Sequence, residues 1–76
     1  MEERLKRAIA AVLGLEEREV TNDAGPGNIK NWDSLKQMQI MLALEDEFDV
    51  RFSDDEIHQL TSYRSILLAL KGRVEG

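Results

Sequence analysis

Apolar residues recur with helical spacing in four segments of this chain. The first segment places four of them on one helical face: Leu5, Ile9, Val12 and Leu13. Gly14 follows directly and predicts the end of that helix, since glycine is favoured just past a helix C-terminus. The second segment, about residues 34–48, is the most apolar of the four, and we expect such a helix to lie centrally.

Two further helices are indicated after residue 50. Ser53-Asp54-Asp55-Glu56 matches a capping box and predicts the start of a short helix. A last helix is expected to begin near Ser62 or Tyr63 and to end at Gly72. Its apolar spacing predicts three buried residues: Ile66, Leu67 and Leu70.

The segments together define the fold class. No segment shows the strict alternation of apolar and polar residues that is typical of a β-strand. We therefore predict an all-α fold, a four-helix bundle of three longer helices and one short helix. Residues 1–76 are expected to form a single domain, because a chain of this length supports one modest core.

A long loop is predicted between the first two helices. Residues 15–32 contain the turn signal Gly25-Pro26-Gly27-Asn28, and we expect Val20, Ile29 and Trp32 to anchor the loop on the bundle. Loops longer than about 12–15 residues are uncommon in compact domains. We therefore expect this connection to wrap the bundle and to join two roughly parallel helices.

The composition excludes several classes of protein. The chain carries a formal net charge of -5 and contains no cysteine. An acidic chain lacks the basic patch with which nucleic-acid binding begins, and the lack of cysteine excludes disulfides and thiolate metal sites. No segment approaches the roughly 18–20 consecutive apolar residues of a membrane span. We predict a cytoplasmic monomer with no nucleic-acid partner, no membrane partner and no metal.

The residues needed for catalysis are also missing from the sequence. His58, the single histidine, falls in the short third helix, and the chain has no glycine-rich loop that could form an oxyanion hole. We therefore predict that the protein has no catalytic residues and is not an enzyme.

Ser34 stands where a polar loop gives way to the second helix. Serine at a helix start is most often a cap, and Ser34 with Gln37 fits the S-x-x-Q capping box. Asp33 is an equally good N-cap, which would leave the Ser34 hydroxyl free to face solvent. A phosphodiester on Ser34 would be tolerated there, because a helix N-terminus offers unpaired N–H groups and the positive end of the helix dipole.

The motif Asp33-Ser34-Leu35, followed by Leu44-Glu45-Asp46-Glu47-Phe48-Asp49-Val50 and then by Asp54-Asp55-Glu56, resembles the acyl carrier proteins. The resemblance covers nearly the whole chain. It implies that Ser34, flanked by Asp33 and Leu35, accepts 4'-phosphopantetheine from coenzyme A through a separate phosphopantetheinyl transferase. The thiol of that arm would hold an acyl group as a thioester, for fatty-acid or polyketide-type biosynthesis.

The acidic residues predict how partners dock. Residues 31–60 carry eight acidic and two basic side chains, so the acidity is concentrated around the second and third helices. We expect basic partner surfaces to bind there. The predicted partners are the transferase, an acyl- or aminoacyl-loading ligase, and synthases and transferases. The predicted docking residues are Leu42, Glu45, Asp46, Glu47, Asp54, Asp55 and Glu56.

Several alternatives stay open at this point. Lys36 stands where carriers of fatty-acid synthesis usually have an acid, which favours a carrier of a specialised pathway. An aminoacyl carrier is a further alternative, and so is a helical interaction module in which Ser34 is only a cap. Met38 and Met41 are interpreted first as core residues, although methionines lining a cleft could also make room for an acyl chain.

Overall fold

The computed structural model describes residues 1–74 and is built from four α-helices. The helices are α1 (Glu2–Leu13), α2 (Ser34–Phe48), α3 (Asp54–Gln59) and α4 (Tyr63–Val74), with a 3-10 turn at Glu17–Glu19. Residues 1–74 contain no β-strand. The predicted all-α bundle of three longer helices and one short helix is therefore confirmed.

The core is formed by one face of each longer helix together with the long loop. Its buried residues are Leu5, Ile9, Ala10, Leu13, Val20, Ala24, Trp32, Ile40, Met41, Leu44, Phe52, Tyr63, Ile66 and Leu70. Val20 and Trp32 anchor the loop as predicted, whereas Ile29 and Leu67 are only half-buried. The short helix α3 contributes no fully buried residue, so its position depends on contacts at its two ends.

Helix α1 ends where the sequence predicts. Gly14 adopts the left-handed conformation with φ 71°, and its N–H donates to the carbonyl of Ala10. A residue with a Cβ is strained in this conformation, which explains why glycine suits the position. Gly72 was expected to end α4 in the same way, but that prediction is wrong because α4 continues to Val74. The Arg73 guanidinium holds this last turn by donating to the carbonyls of Arg51 and Ala69.

Helices α1 and α2 run antiparallel, which corrects the expected parallel arrangement. Arg4 near the start of α1 donates to the Glu47 carboxylate near the end of α2, with an Nε–Oε2 distance of 3.0 Å. At the opposite end, Asn31 just before α2 donates to the carbonyl of Leu13, at 2.7 Å. The loop therefore leaves and returns to the same end of the helix pair. Between these two points the loop extends to the start of α4, where the Tyr63 N–H donates to the Ala24 carbonyl.

No helix within residues 1–74 has both the length and the apolar composition that crossing a bilayer requires.

Tyr63 is a buried residue of α4, and its hydroxyl lies at a partly buried junction with α1. It donates to Oε1 of Glu2 over 2.9 Å, and Nζ of Lys6 lies 5.3 Å from the centre of the ring. Burial, followed by the hydrogen bond and the negative charge of Glu2, raises the pKa of Tyr63 to about 12 from its ordinary value of 10.0. The neutral phenol is thus favoured by folding.

Tyr63 is the single tyrosine of the chain, so its titration can be followed directly by absorbance near 295 nm. We expect the folded protein to titrate close to pH 12 and the urea-unfolded chain close to 10. Because the folded state holds the proton more tightly, stability is fully present below the unfolded pKa and falls as pH rises through this interval. Tyr63→Phe should remove that dependence. A midpoint near 10 in the folded protein would contradict the hydrogen bond between Tyr63 and Glu2.

Candidate functional site

The start of α2 is capped by Asp33 and not by Ser34. Asp33 has an extended backbone, and its Oδ1 accepts the Lys36 N–H at 2.9 Å. Ser34 is the first helical residue and is exposed. Since Asp33 occupies the capping role, the Ser34 hydroxyl is left for other chemistry. Of the two interpretations that the sequence leaves open, the geometry selects the second.

The backbone around Ser34 suits a negatively charged substituent. Ser34 and Leu35 lie in the first turn of α2, where backbone N–H groups have no carbonyl partner inside the helix. These groups and the helix dipole stabilise an anion by about 0.3–1 kcal/mol at an exposed site. A phosphodiester on the Ser34 oxygen therefore fits the chemistry of this helix terminus.

A buried amide lies directly beneath this site. Gln37 is 5% exposed. Its Oε1 accepts the Trp32 indole N–H at 2.7 Å, and its Nε2 donates to the carbonyls of Ile57 at 2.9 Å and Leu60 at 2.7 Å. One side chain thereby joins the loop before Ser34, the first turn of α2 and the end of α3.

This role of Gln37 was not predicted, because its spacing from Ser34 suggested a capping box instead. The buried face of α2 consists of Gln37, Ile40, Met41 and Leu44. A glutamine in an otherwise apolar helical stripe must have hydrogen-bond partners inside the protein. The position of Gln37 within the apolar stripe is therefore the sequence feature that could have predicted its buried role.

A shallow pocket of about 240 Å³ opens beside Ser34. The residues that line it come from the loop, α2 and the end of α3: Pro26, Trp32, Asp33, Ser34, Gln37, His58 and Thr61. The pocket therefore combines apolar surface with the polar side chains of Gln37, His58 and Thr61.

Three large apolar side chains of α2 face solvent. Leu35 is 62% exposed, Met38 42% and Leu42 51%. The core interpretation is confirmed for Met41, which is fully buried, but is wrong for Met38. The buried face of α2 is formed by Gln37, Ile40, Met41 and Leu44, and Met38 lies at the edge of that face. We call Leu35, Met38, Leu42 and the exposed Asp46 the outward face of α2.

Three of the acids predicted to dock partners already have partners inside the protein. Glu45 is mostly buried, and its Oε2 accepts the Phe52 N–H at 2.8 Å. Glu47 pairs with Arg4, whose guanidinium also lies 4.6 Å from the centre of the Phe48 ring.

Glu56 is the third acid with an internal partner. It completes the predicted capping box, accepting the Ser53 N–H at 2.8 Å while its own N–H donates to Oγ of Ser53 at 3.1 Å. It also pairs with Arg73. The hydrogen bond from the Ser53 backbone, and then the one from Arg73, lower the pKa of Glu56. Its carboxylate therefore stays ionised to lower pH than an ordinary glutamate.

Asp46, Asp54 and Asp55 differ from these three acids. They are exposed, and none of them forms an ion pair with any of residues 1–74. Asp46 lies one turn beyond Leu42 on the same side of α2. The negative charge that remains available to a partner is thus smaller, and more local, than the sequence suggests.

The described residues contain no group of three or more His, Asp or Glu side chains arranged to hold a metal ion. Ser34 and His58 share a pocket, yet no hydrogen bond connects them within this part of the chain. The arrangement presents a hydroxyl at a helix start, beside a shallow pocket and an apolar helix face. Such an arrangement suits a hydroxyl that receives a substituent, and no base within residues 1–74 is bonded to Ser34 in a way that would make it a nucleophile.

Comparison with known proteins agrees with this geometry. The model of the family described as "Phosphopantetheine attachment site" matches residues 3–70. The chain is 37% identical over 71 residues to the acyl carrier protein of Buchnera aphidicola subsp. Baizongia pistaciae (strain Bp). That match spans 93% of this chain and 91% of the relative. The chain belongs to the acyl carrier protein family, whose prosthetic group is 4'-phosphopantetheine.

The capping assignment can be tested by stability. Asp33→Ala should lower the free energy of unfolding by about 1 kcal/mol, because the Lys36 N–H loses its acceptor. Ser34→Ala should change it by less than about 0.5 kcal/mol, since the serine hydroxyl supports no helix contact. Both values follow from urea unfolding monitored by circular dichroism. An equal or larger cost for Ser34→Ala would show that the serine is the cap.

Proposed function

We propose that this protein carries acyl intermediates as thioesters on a 4'-phosphopantetheine arm attached to Ser34, in fatty-acid or polyketide-type biosynthesis. The observation that supports Ser34 is its exposed hydroxyl at the start of α2, left uncommitted because Asp33 caps the helix. The match to a phosphopantetheine family supports the arm, and the similarity to an acyl carrier protein supports the acyl cargo.

Each residue near Ser34 has a part in this proposal. The Ser34 oxygen forms the phosphodiester bond, and the unpaired N–H groups of the first turn stabilise its charge. Asp33 fixes the helix start and so directs Ser34 toward solvent. Leu35 offers exposed apolar surface next to the attachment point. The arm supplies a terminal thiol that holds the acyl group.

Covalent tethering explains why so small a protein suits this task. A flexible arm raises the effective concentration of the intermediate at each partner without requiring tight binding of the carrier. Docking can then stay weak and reversible, which lets successive enzymes exchange on the same surface. A cytoplasmic location and a monomeric state belong to the same proposal.

We propose that the docking surface is the outward face of α2, together with Asp54 and Asp55 of α3. Apolar contacts at Leu35, Met38 and Leu42 would supply affinity, and Asp46 would guide a basic partner. The partners are a phosphopantetheinyl transferase, an acyl-loading ligase, and synthases and transferases. Glu45, Glu47 and Glu56 have less influence in this proposal, because their charges already have internal partners.

An aminoacyl carrier is the second candidate. It is supported by the motif Asp33-Ser34-Leu35, because free-standing aminoacyl carriers can have D-S-x motifs. The interpretation of Ser34 as only a cap is not retained, because Asp33 holds that role.

The attachment site is tested by intact mass after incubation with coenzyme A and a broad-specificity phosphopantetheinyl transferase. We expect the native chain to gain one phosphopantetheine group and Ser34→Ala to gain none. Ser53→Ala is the matched control, because Ser53 also stands at a helix start but uses its hydroxyl as a cap. Modification of Ser34→Ala, or none of the native chain with several transferases, would contradict the proposal.

The docking proposal is tested by two neutralisations that change the net charge equally. Asp46→Asn should raise the KM for phosphopantetheinyl transfer roughly two- to fivefold at low salt, the range of one exposed ion pair. Glu47→Gln should change it by less than about twofold, since Arg4 already neutralises that carboxylate. The difference should vanish at high salt. A larger effect for Glu47→Gln would mean that partners displace Arg4 and bind Glu47 instead.

A further inference from the structure

The pocket beside Ser34 ends on two almost completely buried side chains, Trp32 and Gln37. Behind them lie Ile40, Met41 and Leu44, none of which is exposed at all. A chain attached to Ser34 that turned into this pocket would therefore meet the indole and the amide before it reached the core.

The same two residues close the gap between α2 and α3. Gln37 bonds to Trp32 on one side and to the carbonyls of Ile57 and Leu60 on the other. Opening the gap would break three hydrogen bonds, of which the one between Trp32 and Gln37 is buried and the two to α3 are partly buried. An alkyl chain offers neither donors nor acceptors to replace them, so the buried Trp32 N–H and the Gln37 amide would lose their partners.

Helix α3 is also held at its other end, which opposes a hinged opening. Glu56 in its first turn pairs with Arg73 of α4, whose guanidinium lies 4.7 Å from the centre of the Phe52 ring. Arg73 further donates to the carbonyl of Arg51 at 3.0 Å. Movement of α3 away from α2 would have to disrupt both attachments.

We propose that Trp32 and Gln37 exclude acyl chains from the bundle core, so that this carrier holds its cargo outside the bundle. The inference rests on the proposed attachment of the arm to Ser34. It also defines the class of cargo. A long alkyl chain held outside stays in contact with water, which is unfavourable in proportion to its apolar area. Short or polar acyl groups do not meet this difficulty and are the cargo that such a carrier suits.

The test compares the phosphopantetheine form with acetyl and decanoyl forms, prepared with a phosphopantetheinyl transferase and the matching acyl-coenzyme A. We expect the three melting temperatures to agree within about 2 °C, because no added apolar surface is buried. Acrylamide quenching of Trp32, the single tryptophan, should also be equal in all three forms. A melting temperature that rises with chain length, together with altered quenching, would overturn the proposal.

Two matched substitutions test whether the named residues cause the exclusion. Gln37→Met removes all three hydrogen bonds, and Gln39→Met makes the same change at an exposed position of α2. We expect the decanoyl form of Gln37→Met to melt several degrees above its own unacylated form, and Gln39→Met to behave like the native chain. Trp32→Phe, which keeps a ring and loses the N–H, serves if Gln37→Met does not fold.

The remaining outcomes are also decisive. If both Gln37→Met and Trp32→Phe still exclude the decanoyl chain, the exclusion does not depend on these residues and the assignment is wrong. Intact mass is measured before each melting curve. If the native chain gains no phosphopantetheine mass, the proposed function is wrong. If it gains that mass but its melting temperature rises with acyl length, only the proposed exclusion is wrong.

Discussion

The side-chain amide of Gln37 connects three parts of the molecule that are distant in sequence. It binds Trp32 in the loop and two carbonyls at the end of α3, from a position one turn into α2. Each buried polar group left without a partner costs about 1–3 kcal/mol, so this junction has one favoured arrangement. Trp32 directly precedes Asp33, and the same junction therefore sets where α2 begins. The exposure of Ser34 depends on it.

Two arginines connect neighbouring helices through ion pairs and contacts with aromatic rings. Arg4 and Arg73 neutralise Glu47 and Glu56 while their guanidinium groups stack on Phe48 and Phe52. These contacts fasten α1 to α2 and α4 to α3, and they give two of the acids a cation partner within the bundle. The outward face of α2 is left with exposed apolar side chains and Asp46. The contacts inside the bundle thus hold the backbone beneath Ser34 and leave the outward face of α2 free to bind a partner.

Local features of the sequence predicted local structure well. Helical periodicity, Gly14 and the capping box at Ser53 are short-range signals, and the corresponding helix limits were confirmed. The motif around Ser34 also led to the correct family. Features that depend on distant contacts were missed: the antiparallel pairing of α1 and α2, the Arg4–Glu47 bond across 43 positions, and the inward orientation of Gln37. Periodicity reports which face is apolar, but it does not report what that face meets.

A rigid junction under the attachment serine and a cargo held outside it form the central claim of this account. The most direct test is an NMR measurement of nuclear Overhauser contacts between a ¹³C-labelled decanoyl chain on the native protein and the side chains around it. The account predicts no contacts between the labelled chain and Ile40, Met41 or Leu44, because the cargo stays outside the bundle. Contacts between the labelled chain and the methyl groups of those three core residues would contradict it.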